Sequence, residues 1–289
     1  MPQHVLFISA HLDDAILSCG DYIDALVQKD YQVTIATVFT GMGTELSMLA
    51  RILHKKFGLG MDTMDVRRQE DTLAAKALGA SVLHLNLLEC IYRKNKDGSP
   101  VYSKLNELFN TEWRTEHQVM EEIVSALSEQ IQFENYAGVY VPLGIGRHID
   151  HCLVRQSAER CGLSAGNGTG WPAHLMYYED LPYLCFNNDL TWRTELAAGL
   201  SERSVKLGRS NLKAKLNAAL KYSSQISLLW TSRFSMLRQM AEHARGAARQ
   251  SKREGSVSCD YFFRVYAADS KASVPLGESG TSGARLHHL

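Results

Sequence analysis

Two short stretches gather the residue types that hydrolytic metal sites use, His11-Leu-Asp-Asp14 and His148-Ile-Asp-His151. Each directly follows an apolar run: Val5 to Ala10 before the first, Gly138 to Leu143 and a brief glycine loop before the second. Runs of that kind form buried parallel strands, and open α/β sheets build their sites at the carboxyl ends of such strands. Left unpaired at a buried edge, each polar group would cost on the order of 2–7 kcal/mol. A divalent cation resolves that cost. Histidine and aspartate with few thiolates is the ligand set of hydrolytic zinc, three protein ligands plus a water. The metal lowers the pKa of water to roughly 7 and polarises a carbonyl. Either cluster alone equally describes a polar pair at a helix cap; together, each at a strand end, they point to one metal site.

The elements that must bring the clusters together follow from periodicity. Ile16, Leu17, Tyr22, Ile23, Leu26 and Val27 recur at helical spacing over 13–29, and the Asp13–Asp14 pair suits that helix's N-terminus. Gln32 to Thr40 is a second strand, which closes a right-handed, parallel βαβ unit. Helices are predicted over 45–58 and 63–78, the latter stopped by Gly79, with a third strand over 81–88. Residues 89–112 form an irregular polar loop of a length that is usually functional or disordered. A helix over 116–133, the fourth strand over 138–143 and a helix through Arg160 complete the core. The Gly-rich stretch 164–170 is a surface loop, and 174–182 begins as a strand and ends in a Pro turn. Residues 187–204 are ambiguous, 211–249 helix-rich, and 259–265 a late strand. The expected fold is α/β, a Rossmann-like, mostly parallel sheet with helices on both faces. It forms one domain over 1–267, with a core over 1–183 and a C-terminal helical and strand extension over 184–267. The Ser- and Gly-rich tail, 268–289, is expected to be disordered, with His287 and His288 in solvent rather than on a metal.

Composition narrows the function classes. Lys+Arg and Asp+Glu are both 31 in 289 residues, so nothing in the balance suggests nucleic acid or an anionic membrane. No apolar run approaches the ~20 residues that span a bilayer, and the N-terminus lacks a signal-peptide pattern. The six cysteines have no Cys-x-x-Cys spacing and are expected to be reduced, in a cytoplasmic protein. The basic surplus between Arg203 and Arg253 is expected on a solvated helix face. Gly41-Met-Gly43 follows the second strand and lacks a third glycine, so it is a turn rather than a dinucleotide loop.

The paired motifs resemble those of the PIG-L/LmbE-like zinc N-deacetylases, which include the N-acetylglucosaminyl-phosphatidylinositol, mycothiol and bacillithiol-type deacetylases. The family's usual Ala-His-Pro-Asp-Asp-Glu stands here as Ala10-His-Leu-Asp-Asp-Ala15. The resemblance extends to Arg67 and Glu70 before Leu78-Gly79, and to Lys215 with Tyr222-Ser-Ser-Gln225. It implies that His11, Asp14 and His151 bind zinc or another divalent metal such as Fe2+. It further implies Asp13 as general base and later proton donor to the leaving amine, His148 as oxyanion stabiliser or acid, and Asp150 as the carboxylate orienting a histidine. Arg67 would contact substrate. No tyrosine directly precedes His148, and Arg147 there would contact an anionic substrate or transition state, against the simpler reading of a solvated loop residue. The implied reaction removes an N-acetyl or other N-acyl group from an amino sugar or sugar-containing metabolite. A homo-oligomer is compatible with the sequence. The alternative, suggested by Ala15 in place of Glu, is a metal-binding pseudoenzyme or binding module of the same fold. A nicotinamide-dependent oxidoreductase is weaker, since no glycine loop follows strand one.

Overall fold

The computed structural model describes residues 3–109, 116–164, 175–186, 191–253 and 261–267. Its seven strands form one sheet: β1 (His4–Ser9), β2 (Gln32–Gly41), β3 (Ser81–Leu88), β4 (Tyr136–Pro142), β5 (Leu175–Tyr178), β6 (Ser201–Leu207) and β7 (Tyr261–Ala267). The order is β3-β2-β1-β4-β5-β7-β6. The first five pair in parallel, and β7 runs antiparallel to both neighbours. The sheet is therefore the expected mostly parallel one, finished by an antiparallel edge from the C-terminal extension. The segment left ambiguous over 187–204 contributes α7 (Thr191–Leu196) and the start of β6.

β1 shows why this strand is central. Leu6 and Ile8 pack in one apolar cluster, Val5 and Phe7 in the other, so alternate side chains fill the two sheet faces and the strand is apolar throughout. The chain leaves β1 toward β2 on one side, while β4 lies on the other. The crevice between their carboxyl ends is the topological switch point, where doubly wound sheets take ligands. Helix α1 (Asp14–Val27) begins there after β1, and α5 (Ile149–Ser164) after β4.

The later motifs join distant helices. Glu70 on α3 (Thr63–Ala77) accepts bonds from Ser223 Oγ at 2.7 Å and from Ser224 N and Oγ at 2.9 and 2.5 Å. The next residue, Asp71, accepts from the Tyr222 hydroxyl at 2.7 Å. Lys215 on α8 (Arg209–Ala219) is buried and donates to the Ser18 carbonyl of α1 at 2.8 Å. That lysine thus departs from the expected solvated basic face, because its ammonium finds a backbone oxygen and Asp21, 3.3 Å away.

Residues 89–109 are built on two 3-10 turns, Cys90–Tyr92 and Leu105–Phe109, and a Lys94–Pro100 bridge. Most of the 164–170 loop, the 110–112 end of the polar loop, Cys259 and the 268–289 tail lie outside the described residues. The other five cysteines are free thiols. Among the described residues no helix is long and apolar enough to cross a membrane.

Candidate functional site

The turn from β1 into α1 is braced from both sides. Ser9 Oγ donates to the His11 carbonyl at 2.7 Å and accepts from Ala15 N at 3.1 Å. The His11 N–H donates to Asp14 Oδ2 at 2.8 Å. Ala15, where the family motif carries Glu, is buried and packs in the apolar cluster around Val5 and Phe7. The second motif is set by the β4–α5 loop, where Gly144, Gly146 and Arg147 all have positive φ. Asp180, just past β5, clamps that loop by accepting from Gly144 N and Ile145 N, both at 2.8 Å.

This brings the two histidine–aspartate clusters together. Asp14 Oδ2 lies 3.2 Å from His11 Nδ1 and 3.2 Å from His151 Nε2. His151 Nε2 is buried and, apart from this approach to Asp14, meets no other hydrogen-bonding group among the described residues. The remaining nitrogens meet carboxylates: His11 Nε2 with Asp150 Oδ2 at 2.9 Å, His151 Nδ1 with Asp180 Oδ1 at 2.7 Å. Outer carboxylates that orient ligating histidines are the usual support of a metal site. In tetrahedral coordination with bonds of 2.0–2.1 Å, ligand atoms lie about 3.3–3.4 Å apart, which matches both Asp14 separations. His148 stands at the third corner, its ring 5.0 Å from that of His11 and 5.4 Å from that of His151.

Ring and thiol donors also cluster as His11, His148 and His151, and as Cys90, His148 and Asp150. The last set is a poor cation site. Asp150 already serves His11, Cys90 N at 3.0 Å and the Arg93 guanidinium, and burial pushes the Cys90 thiol up, away from thiolate. His148 Nδ1 accepts from the Asp150 N–H at 3.3 Å, which places the proton of its neutral ring on Nε2. The geometry therefore favours His11, Asp14 and His151 as the residues able to hold a cation.

Electrostatics divide the two adjacent aspartates. Burial would raise Asp14, but the charges of His151 and His11 hold it well below the usual carboxylate range. Asp13 is pushed up to about 7 by burial and by the charge of Asp14, against the pull of Arg67 and His11. A carboxylate tuned toward neutrality suits a general base. Burial, then the charge of His11, drives His148 well below the usual imidazole range, so it is neutral. Burial also opposes charge on His151, but Asp14 and Asp180 outweigh it and hold the ring at about 9. A histidine raised in this way contributes stability fully present below its unfolded value of about 6.5 and lost as pH rises through the folded one. The thermal midpoint of chelator-treated protein is therefore expected to fall between pH 6.5 and 9, as followed by circular dichroism. Metal-loaded protein, whose ligands have given up their protons, should not follow that fall.

A buried charged wall stands behind His11. Arg93 pairs with Asp150 and holds both oxygens of Glu116 at 3.0 Å, and Tyr102 donates to Glu116. Removing one partner of such a set leaves uncompensated buried charge, at about 3–5 kcal/mol. Arg93→Ala is expected to lower the unfolding free energy by about that amount, measured by urea denaturation. Arg67 is buried too, its Nη1 2.5 Å from Glu89 Oε1; its Nε has no partner among the described residues. Arg147 turns to the surface and pairs with Glu195 on α7.

Sequence reasoning missed Glu89, Arg93, Asp180 and Tyr183. Asp180 carried a usable signal, a carboxylate at the carboxyl end of the strand beside β4. The others sit in a polar loop and a four-residue helix, α6 (Tyr183–Phe186), where no periodicity marks them.

A mostly parallel α/β sheet brings two histidine–aspartate clusters together at its switch point. Comparison gives the family: the chain belongs to PIG-L, GlcNAc-PI de-N-acetylase, whose model matches residues 6–161. It is 27% identical over 206 residues to a 2'-N-acetylparomamine deacetylase of Niallia circulans, covering 65% of this chain and 71% of that protein. Two solved structures cover 92% of this chain and 97% of their own: a deacetylase–bog complex of the teicoplanin biosynthesis pathway (26% identity, TM-score 0.74) and the zinc-inhibited form of teicoplanin deacetylase Orf2 (25%, 0.71).

Proposed function

We propose that the chain is a divalent-metal-dependent N-deacetylase of an N-acetylated amino sugar or sugar-containing metabolite. The observation that carries this reading is the convergence of His11 Nδ1 and the buried His151 Nε2 on Asp14 Oδ2, each at 3.2 Å, with Asp13 in the same turn pushed up to about 7. The names of the related deacetylases support the substrate class. In this reading His11, Asp14 and His151 hold the cation, zinc by its donor set. Fe2+ stands beside zinc in the test because one related enzyme is described as zinc-inhibited.

Bound there, a divalent cation supplies Lewis acidity to the amide carbonyl and brings the pKa of water to roughly 7. Asp13 takes a proton from the attacking water as its oxygen adds to the carbonyl carbon. It returns that proton to the amine nitrogen as the C–N bond breaks, which leaves acetate and the free amino sugar. His148 donates its Nε2–H to the developing oxyanion. Asp150 orients His11. Arg67, held by Glu89, keeps a positive charge beside Asp13 and reaches the reacting end of the substrate, and Arg147 meets its outer part. Pairing of β7 with β5, and of β6 with β7, supports treating residues 1–267 as one functional unit. The test is a panel of N-acetylated amino sugars assayed for acetate release, with zinc or Fe2+ and with chelator. Metal-dependent release from at least one sugar is expected; tight binding across the panel with no acetate would favour the pseudoenzyme instead.

A further inference from the structure

The buried tyrosines around the sheet spend their hydroxyls. Tyr22 and Tyr140 bond each other at 2.9 Å, Tyr178 donates to the Ile8 carbonyl at 3.0 Å, and Tyr222 donates to Asp71 at 2.7 Å. Tyr92 meets His54 at 2.7 Å, and Tyr266 donates to Glu179 at 2.8 Å. Tyr183 differs: among the described residues its hydroxyl has no hydrogen-bond partner, although its ring is half-buried against the site. It is edge-on to His151 with centroids 5.4 Å apart and near-parallel to His148 at 6.4 Å. Phe109 closes another side at 6.0 Å.

The ring is also wedged against the loop that carries His148. A Cβ on Gly146 would lie 2.5 Å from Tyr183 Cγ, and Gly146 has φ +88. Only glycine permits both that conformation and that approach, so the loop backbone and the ring fix each other. An O–H with no acceptor among the described residues, on a ring packed against His148 whose Nε2 carries a proton, offers a second donor for one oxygen.

We propose that Tyr183 is a further catalytic residue, its hydroxyl donating with His148 to the carbonyl oxygen of the scissile amide. This rests on the deacetylase reading above. The donor comes from α6, just beyond the Leu181–Pro182 peptide.

Tyr183→Phe keeps the ring and its packing and removes only the hydroxyl. With metal-loaded protein and an N-acetylated amino sugar, kcat is expected to fall about 10²-fold, with KM and bound metal near wild type. Wild-type kcat in Tyr183→Phe would overturn the proposal. Acetate binding to the metal-loaded proteins, followed by calorimetry, separates this inference from the reading beneath it. Acetate presents the same oxygen, and its affinity should drop about 3- to 10-fold in Tyr183→Phe. If wild type turns over no N-acetylated sugar, the deacetylase reading fails. Equal acetate affinity in the two proteins would sink the role of Tyr183 whether or not turnover is seen.

Discussion

Asp13→Asn is expected to lower kcat by about 10²- to 10⁴-fold while leaving near-stoichiometric metal in place. The substitution keeps the shape of the side chain and removes its capacity to accept a proton. It does not touch Asp14, the carboxylate whose Oδ2 faces both histidines. The two neighbours are therefore separable by experiment. Metal content from plasma emission spectroscopy should hold in Asp13→Asn, and acetate release should collapse. The pH profile gives a second readout. Burial and the charge of Asp14 raise Asp13, and a bound cation draws it back down, so the ascending limb of kcat/KM in the loaded enzyme should lie below pH 7 and disappear in Asp13→Asn. Full activity in Asp13→Asn would remove the base from the mechanism and leave a binding module as the better reading.

His151→Ala should abolish metal retention and activity together. Its buried Nε2 faces Asp14 Oδ2 at 3.2 Å and has no hydrogen-bond partner beyond it among the described residues, and its Nδ1 is held by Asp180 at 2.7 Å. A graded pair of variants distinguishes ligand from support. Loss of an outer partner costs roughly 10–100-fold in metal affinity, so Asp180→Asn should bind the cation weakly but measurably. His151→Ala, which removes a donor atom outright, should fall below that. Competition with a chromogenic chelator measures both. Equal metal affinity in His151→Ala and wild type would mean that the cation sits elsewhere.

How much of this was legible in the sequence depends on range. β1, α1 and β2 are dictated locally, by apolar runs and helical spacing, and they appear as expected. The two clusters were legible as a pair because each follows a parallel strand, and parallel strands share a carboxyl edge. What the sequence did not disclose is which side chains stand behind the clusters. Arg93 lies in a polar loop with nothing to distinguish it from a solvated arginine, yet it is buried between Asp150 and Glu116. Asp180 looked like part of a turn before proline, and only the β4–β5 pairing brings it to His151. Arg67 and Arg147, both candidate substrate contacts in the sequence, differ in space: one is buried on Glu89, the other half-exposed on Glu195. Ala15 shows the reverse case. The missing glutamate looked like a damaged half-site, but the residue packs in the apolar cluster, and Asp13, Asp14, Asp150 and Asp180 take their places without it.

The proposed hold of His11, Asp14 and His151 on a divalent cation needed to hydrolyse an N-acetyl group is tested most directly by adding zinc or Fe2+ back to chelator-stripped protein and following acetate release from an N-acetylated amino sugar. No release is expected from stripped protein, and release should rise with added cation and saturate near stoichiometric binding. Equal release from stripped and loaded protein would contradict it.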